Sequence, residues 1–337
     1  MRLASFVARR LAFFAVALVG VAVITFVMTR MLPGNPAYLI AGRHADQATV
    51  DAVTRRLGLD RPLPEQFVGY LRQLARGDLG SSARTGGTVR ADMAARWPAT
   101  VELGTYAMLL AVAWSVGLGV LSSLRRRSLL DRVANVLSGV GVSVPEFWLG
   151  LILVLIFFTT LGWAPPPLGR ISGDVQAPVH TTGLYTVDAV VSADWPALWA
   201  SLRQLTLPAI TLAFVVGAPM LRVTRAFMRE VLRSEYIRAA RALGVGRRSL
   251  ILRHALPNAL LPVTTMMAMM YGYLLGGTVL VEFVFAWPGI GKYAVDSINA
   301  SDYAPVMAVV LLSAVTYLLV YLVTDVLHLA TDPRTRA

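Results

Sequence analysis

Six stretches of this chain are apolar over about the length an α-helix needs to cross a bilayer. A helix rises about 1.5 Å per residue, so roughly 20 apolar residues traverse a hydrocarbon core about 30 Å thick. The predicted spans fall near 11–31, 101–124, 133–161, 205–221, 259–285 and 304–327. Composition agrees: 56% of the 337 residues are hydrophobic, only 15% are charged, and mean hydropathy is +0.62. A soluble domain of this size needs more polar surface than that. The expected fold class is an all-α integral membrane protein with six transmembrane helices.

The formal net charge of +12 fits nucleic-acid binding as well as membrane topology, but its distribution favours topology and no nucleic-acid partner is expected. The arginines cluster in short segments between apolar spans. Segment 125–132 carries Arg125, Arg126, Arg127 and Arg132, and segment 222–258 carries nine arginines against Glu230 and Glu235. Segment 286–303 has only Lys292, and 163–203 only Arg170 and Arg203. Basic residues in short loops stay inside, so both termini are expected in the cytoplasm. The arginine-rich stretch 33–98 is assigned outside, because long loops translocate largely regardless of charge. Arg2, Arg9 and Arg10 precede an apolar run longer than a signal-peptide core, so the first helix is expected to be retained. The absence of cysteine excludes disulfides and thiolate metal sites.

Three parts are expected. Residues 1–32 form a tail and the first membrane helix. Residues 33–98 form an extracytoplasmic segment with short amphipathic helices. Residues 99–337 form a five-helix core that includes the cytoplasmic loop 222–258. In the outer segment, Val50, Val53 and Leu57 lie at helical spacing before Gly58, as do Phe67, Leu71 and Leu74 before Gly77. Pro145 should kink or split the third span, while Pro208 and Pro219 interrupt the short fourth. Such interruptions suit helix packing and the lining of a pathway about equally.

The most informative segment is Ser234–Pro257, SEYIRAARALGVGRRSLILRHALP. Arg222, Arg225, Arg229 and Arg233 share one face of the helix leading into it. Ala239 and Ala240 offer a small surface that another protein could approach closely. Gly244 and Gly246 break the helix, and a second short helix is expected from about Arg247 until Pro257 stops it. The shape expected is a helix–turn–helix knob projecting from a membrane bundle. Charge alone gives equal weight to a basic loop lying on anionic lipid.

The detailed spacing resembles the EAA loop of ABC importer permeases. It runs Ala239-Ala240, Gly244 four residues on, then Leu256-Pro257. Arg238 stands where many members have glutamate, and His254 where many have an aliphatic residue; the arginine-rich form resembles the peptide-transporting branch. Other segments are similar to that branch along the chain: Leu32-Pro33-Gly34-Asn35-Pro36, Leu57-Gly58-Leu59-Asp60, Gly77-Asp78-Leu79-Gly80-Ser81 and Pro145-Glu146-Phe147-Trp148-Leu149-Gly150. So are Glu282 with Phe285-Ala286-Trp287-Pro288-Gly289-Ile290-Gly291, Asp302-Tyr303, and Asp332-Pro333-Arg334. The chain resembles the B-type permease of dipeptide and oligopeptide importers, a group that also includes glutathione and nickel permeases.

That resemblance implies a type I importer permease fold, a second homologous permease subunit, two ATP-binding-cassette ATPase domains and an extracytoplasmic peptide-binding protein. It implies an ATPase-coupling role for Arg238, Ala239, Ala240, Arg241, Leu243, Gly244, Val245, Gly246, Leu256 and Pro257. No catalytic residue and no cofactor are expected in this chain, ATP and magnesium belonging to the partner ATPases. The same machinery could carry nickel chelates, glutathione or another small solute. Gly289-Ile290-Gly291-Lys292-Tyr293 imitates a P-loop, but Ala286 and Tyr293 stand where that motif needs glycine and Ser/Thr.

Pro145, Glu146 and Glu282 are the pathway candidates, with a buried arginine pair the competing role for either glutamate. Asp325 is expected to form an ion pair or to serve at a helix end rather than relay protons. Met266, Met267, Met269 and Met270 cannot share one helix face, which favours packing over a copper site. No metal is expected. A solitary secondary transporter or channel would want paired intramembrane charges and inverted repeats, which the sequence does not display. A membrane-anchored scaffold would not need six spans.

Overall fold

The computed structural model describes residues 2–31, 46–56, 58–172 and 175–331. The segments 32–36 and 332–334 and the residues Leu57 and His44 lie outside the described residues. Helix α1 (Arg2–Met31) is followed by two short outer helices, α2 (Gln47–Arg56) and α3 (Leu63–Ala75). Both outer helices end where the sequence places them, at Gly58 and Gly77, each in the left-handed conformation. The long α4 (Val89–Ser123) leads by a tight turn into α5 (Leu129–Ser143), which breaks at Pro145. Beyond the break lies α6 (Glu146–Leu153), prolonged by a π-helical stretch, Val154–Thr160. An outer loop carries α7 (Tyr185–Val191) and leads into α8 (Trp195–Leu232). The knob comprises α9 (Glu235–Ala242), α10 (Arg247–Ser249) and a π-helical turn, Leu250–Ala255, which runs directly into α11 (Leu256–Gly277). Then come α12 (Val279–Val284), α13 (Ile290–Asn299) and α14 (Tyr303–Thr331).

Among the described residues, five helices are long and apolar enough to cross a membrane, and the bent pair α5–α6 makes a sixth when taken as one span. The Pro145 break turns the chain by 110°, a sharper division than a simple kink. Three sequence-derived boundaries need correction. The fourth helix runs 38 residues through both prolines instead of covering 205–221. The second begins at Val89, well outside the apolar window. The fifth starts at the knob, and Pro257 does not stop the helix there. Hydropathy marks where a helix meets hydrocarbon, whereas backbone hydrogen bonding continues into the polar ends. At Pro257 the preceding π turn supplies the reason: Leu256 N–H reaches back five residues to Ile251 O, widening the coil beneath the proline ring.

Helix starts follow local chemistry. Thr88 accepts from Ala91 N–H, Ser128 from Asp131 N–H and Asp194 from Ala197 N–H, and Pro196 sits in the first turn of α8. The bundle is organised around α4 and α8, which make the most extensive helix pair. On α4, Ala99, Leu103, Ala107, Ala111 and Ser115 recur every fourth residue and are all buried. That row of mostly small side chains lets the helix backbones approach closely, against Leu205, Leu212, Val216 and Met220 of α8. The stretch α11–α12 closes the core with Leu274, Val281 and Phe285. Met266, Met267 and Met270 pack against this core while Met269 points away, so the thioethers do not converge. Helix α1 lies against α14 and α3, with Phe26 edge-on to Phe67 at 5.4 Å. Asp325 is paired with Arg10 at 2.8 Å, the structural role expected of it.

Candidate functional site

The knob is built from residues that point in opposite directions. Ile237 is fully buried against Met228, Leu250, Ala255 and Ala259, which fixes α9 to the bundle. Arg238, Ala239, Arg241, Leu243, Gly244 and Gly246 are exposed on the opposite side, with Leu243 85% accessible at the tip. Ala240 and Val245 are half-buried beneath them. The turn is a Schellman cap: Val245 N–H donates to Ala240 O at 3.1 Å and Gly244 N–H to Arg241 O at 3.1 Å. Gly244 has φ +79°, the left-handed conformation that favours glycine, and a Cβ there would meet nothing within 4 Å. Its requirement is conformational, not steric.

Leu256 and Pro257 lie apart from that tip, at the knob's base past the π turn, with Leu256 half-buried and Pro257 exposed. What connects base to tip is Tyr236, which sequence reasoning passed over. Its hydroxyl donates to His254 O at 3.3 Å and accepts from Asn258 Nδ2 at 3.0 Å. Arg238 pairs with Glu235 one turn away on its own helix. Of the basic face on α8, Arg225 and Arg229 both engage Asp131 of α5, which also accepts from Arg127 N–H at 2.9 Å. Asp131 thus ties the start of the third span to the helix that carries the knob.

The pathway candidates separate. Glu146 sits just after the Pro145 break and accepts a hydrogen bond from Tyr273 of α11 at 2.9 Å. Glu282 is fully buried and offers no surface to a solute in this structure. Among the described residues, neither glutamate has the arginine partner that was its competing role. The Glu282 carboxyl accepts from Thr100 Oγ1 at 2.6 Å, Thr278 Oγ1 at 3.2 Å and Lys292 N–H at 3.0 Å. It therefore caps the start of α13, filling the place where the P-loop imitation would have held phosphate, and a Cβ on Gly289 would collide with it.

The buried ion pair of the outer side lies elsewhere. Arg170, in the loop after the third span, meets Glu102 of α4 at 2.5 Å with both side chains almost wholly buried. Glu102 also accepts from Thr186 N–H and Oγ1, and the Arg170 guanidinium lies 3.6 Å from the Tyr185 ring centroid. In the same loop Asp188 gathers Thr181, Thr182 and Gly183 N–H and the Thr182 hydroxyl. Burial alone pushes its carboxyl up, but these hydrogen bonds win and hold it below the usual carboxylate range. Glu102 carried a signal of its own, a carboxylate inside a predicted span; Arg170 in a loop did not.

The described residues thus form an apolar helical bundle that carries a basic knob, and the chain's similarities show which family it belongs to. Residues 115–337 match the family of binding-protein-dependent transport system inner membrane components, and residues 3–104 match the N-terminal part of such components. The chain belongs to this family. It is 42% identical over 315 residues to the "Probable D,D-dipeptide transport system permease protein" of Escherichia coli (strain K12), covering 94% of this chain and 92% of that relative. It is 39% identical over 329 residues to the dipeptide transport system permease protein of Alkalihalophilus pseudofirmus, covering 97% of both. The glutathione transport system permease protein of Pectobacterium atrosepticum is 39% identical over 316 residues, 94% of each chain. This family member is a multi-pass permease of the inner membrane that depends on a binding protein, and ATP hydrolysis lies on partner subunits.

Proposed function

We propose that this permease forms half of the pathway of a peptide importer, pairs with a second homologous permease, and carries dipeptides or oligopeptides into the cell. Two ATP-binding-cassette domains drive it, and an extracytoplasmic peptide-binding protein feeds it. The observation that carries the coupling role is the knob. It combines an exposed tip at Leu243 and Gly244, an apolar underside locked by Ile237, and a Tyr236 strut running to the base of α11. A force on the tip passes into α8 and α11 as rigid-body movement, because the tip has few ways to yield alone. Helix α8 packs along α4, and α11 reaches Glu146 at the Pro145 break through Tyr273, so displacement of the knob reaches the middle of the bundle. This is the physical content of alternating access here: closure of the ATPases favours one arrangement of the bundle over the other.

Peptide cargo is supported by the similarity to two dipeptide permeases along nearly the whole chain. The equally extensive similarity to a glutathione permease keeps glutathione, itself a tripeptide, as the second reading. The test is to purify the protein with its co-encoded neighbours and reconstitute the complex. Co-purifying ATPase subunits and ATP-dependent uptake of labelled dipeptide are expected. Transport by this chain with no ATPase present would overturn the importer reading, and uptake of glutathione but no dipeptide would select the second cargo.

A further inference from the structure

Beside the knob, between the inner ends of α4 and α8 and the turn into α10, lies a cavity of about 570 Å³. Five arginines line it: Arg126, Arg229, Arg233, Arg241 and Arg247, with no acidic side chain among the lining residues. Among the described residues only Arg229 of the five has a carboxylate partner, Asp131, and its Nε stays buried without a hydrogen bond. Five like charges converging on one concavity repel one another and attract a counter-charge. Apart from Ser123, the rest of the lining is apolar, with Leu124, Leu232, Val245, Leu250 and Ile251. A free inorganic anion gains nothing from such a wall, whereas an amphiphile does. The cavity lies at the inner ends of α4 and α8. Nearby, Leu121, Leu129 and Leu130 are exposed, an apolar approach for acyl chains.

We propose that this cavity binds the phosphate of an anionic phospholipid of the inner leaflet, with the arginines holding the phosphate and the apolar wall the start of the acyl chains. Guanidinium groups suit this task because they offer planar, forked donors to phosphate oxygens. Arg241 and Arg247 belong to the knob, while Arg126 and Arg233 belong to the ends of the spans. A phosphate shared between them staples the knob to the bundle and makes coupling sensitive to the anionic lipid content of the membrane.

The test uses the complete permease–ATPase complex, delipidated and titrated by native mass spectrometry with phosphatidylglycerol and, separately, phosphatidylcholine. Loss of one basic residue near an anionic headgroup weakens binding roughly fivefold, hence about 25-fold for two. R233Q/R247Q is expected to weaken phosphatidylglycerol binding by about that factor and leave phosphatidylcholine unchanged. R233K/R247K, which keeps the charges, should retain most of the binding and shows that the loss is not misfolding. R125Q/R132Q is the control: it removes the same charge from exposed positions of the other inner segment, 125–132, that do not line the cavity. Equal losses in both glutamine pairs would mean diffuse surface attraction and overturn the site. Inorganic pyrophosphate displacing the lipid at equal concentration would reassign the cavity to a soluble phosphate. Loss of ATPase co-purification with lipid binding intact would make it a protein contact. The readout is bound lipid, so the result is separable from whatever cargo the importer carries.

Discussion

Glu102 and Arg170 show how much one buried pair can hold. Their side chains are 3% and 6% accessible, far too little for water to compensate either charge. Neutralising one partner strands the other, which costs on the order of 3–5 kcal/mol, whereas replacing both with apolar groups of similar volume costs much less. E102Q is therefore expected to lower stability by about that amount in thermal unfolding of the detergent-solubilised protein. E102L/R170M should recover much of the loss, and a double variant no better than the single would show that the pair does not act as a unit. The signal for this pair was only half present in the sequence. A glutamate inside an apolar stretch is conspicuous, but its arginine lies 68 residues away in a proline-rich loop, and only folding brings the two together. Asp131 is a similar case: its partners Arg225 and Arg229 were visible as a basic face, but nothing in their spacing said what that face would meet.

The knob behaves as an element because its turn, underside and strut are set by different residues. Its outline was legible, since two glycines between amphipathic helical stretches and a run of arginines have few other arrangements. Its end was not, because a proline that normally stops a helix is absorbed by the widened turn at Leu250–Ala255. The two glycines also differ in a way the sequence hides. Gly244 has φ +79° and Gly246 has φ −62°. A branched side chain at the first must leave the left-handed region, unwinding the Schellman turn, whereas at the second any residue fits the backbone. G244V is expected to keep ATP hydrolysis in the reconstituted complex but raise the ATP consumed per peptide imported several-fold, while G246A stays near wild type. Normal stoichiometry in G244V would remove the turn from the coupling path.

At the scale of the molecule, the 110° break at Pro145 decides the topology. With α5 and α6 taken as one bent span, the loop before α5 and the loop before α7 face opposite sides of the membrane. As a re-entrant hairpin they would face the same side. The chain contains no cysteine, so single-cysteine variants report without background. In intact cells a membrane-impermeant maleimide, with access to the extracytoplasmic face, should label V179C, whose position is 72% exposed, and leave R125C unlabelled until the membrane is permeabilised. Protection of both positions until the membrane is permeabilised would make the bent pair re-entrant and reverse every later helix.

The apolar runs, the arginine-rich inner segments and the two outer amphipathic helices were all determined by the sequence alone. Each depends on local periodicity and on the transfer cost of charge into hydrocarbon, which neighbouring residues suffice to express. The knob could be located for the same reason. Tertiary structure decided the features that depend on residues distant in the chain. It made Glu282 a buried cap of α13, gave Asp131 its two arginines, carried α8 unbroken through two prolines, and gathered five arginines around one cavity. Burial, hydrogen-bond partners and the summed field of converging charges belong to positions in space, and spacing along the chain does not encode them.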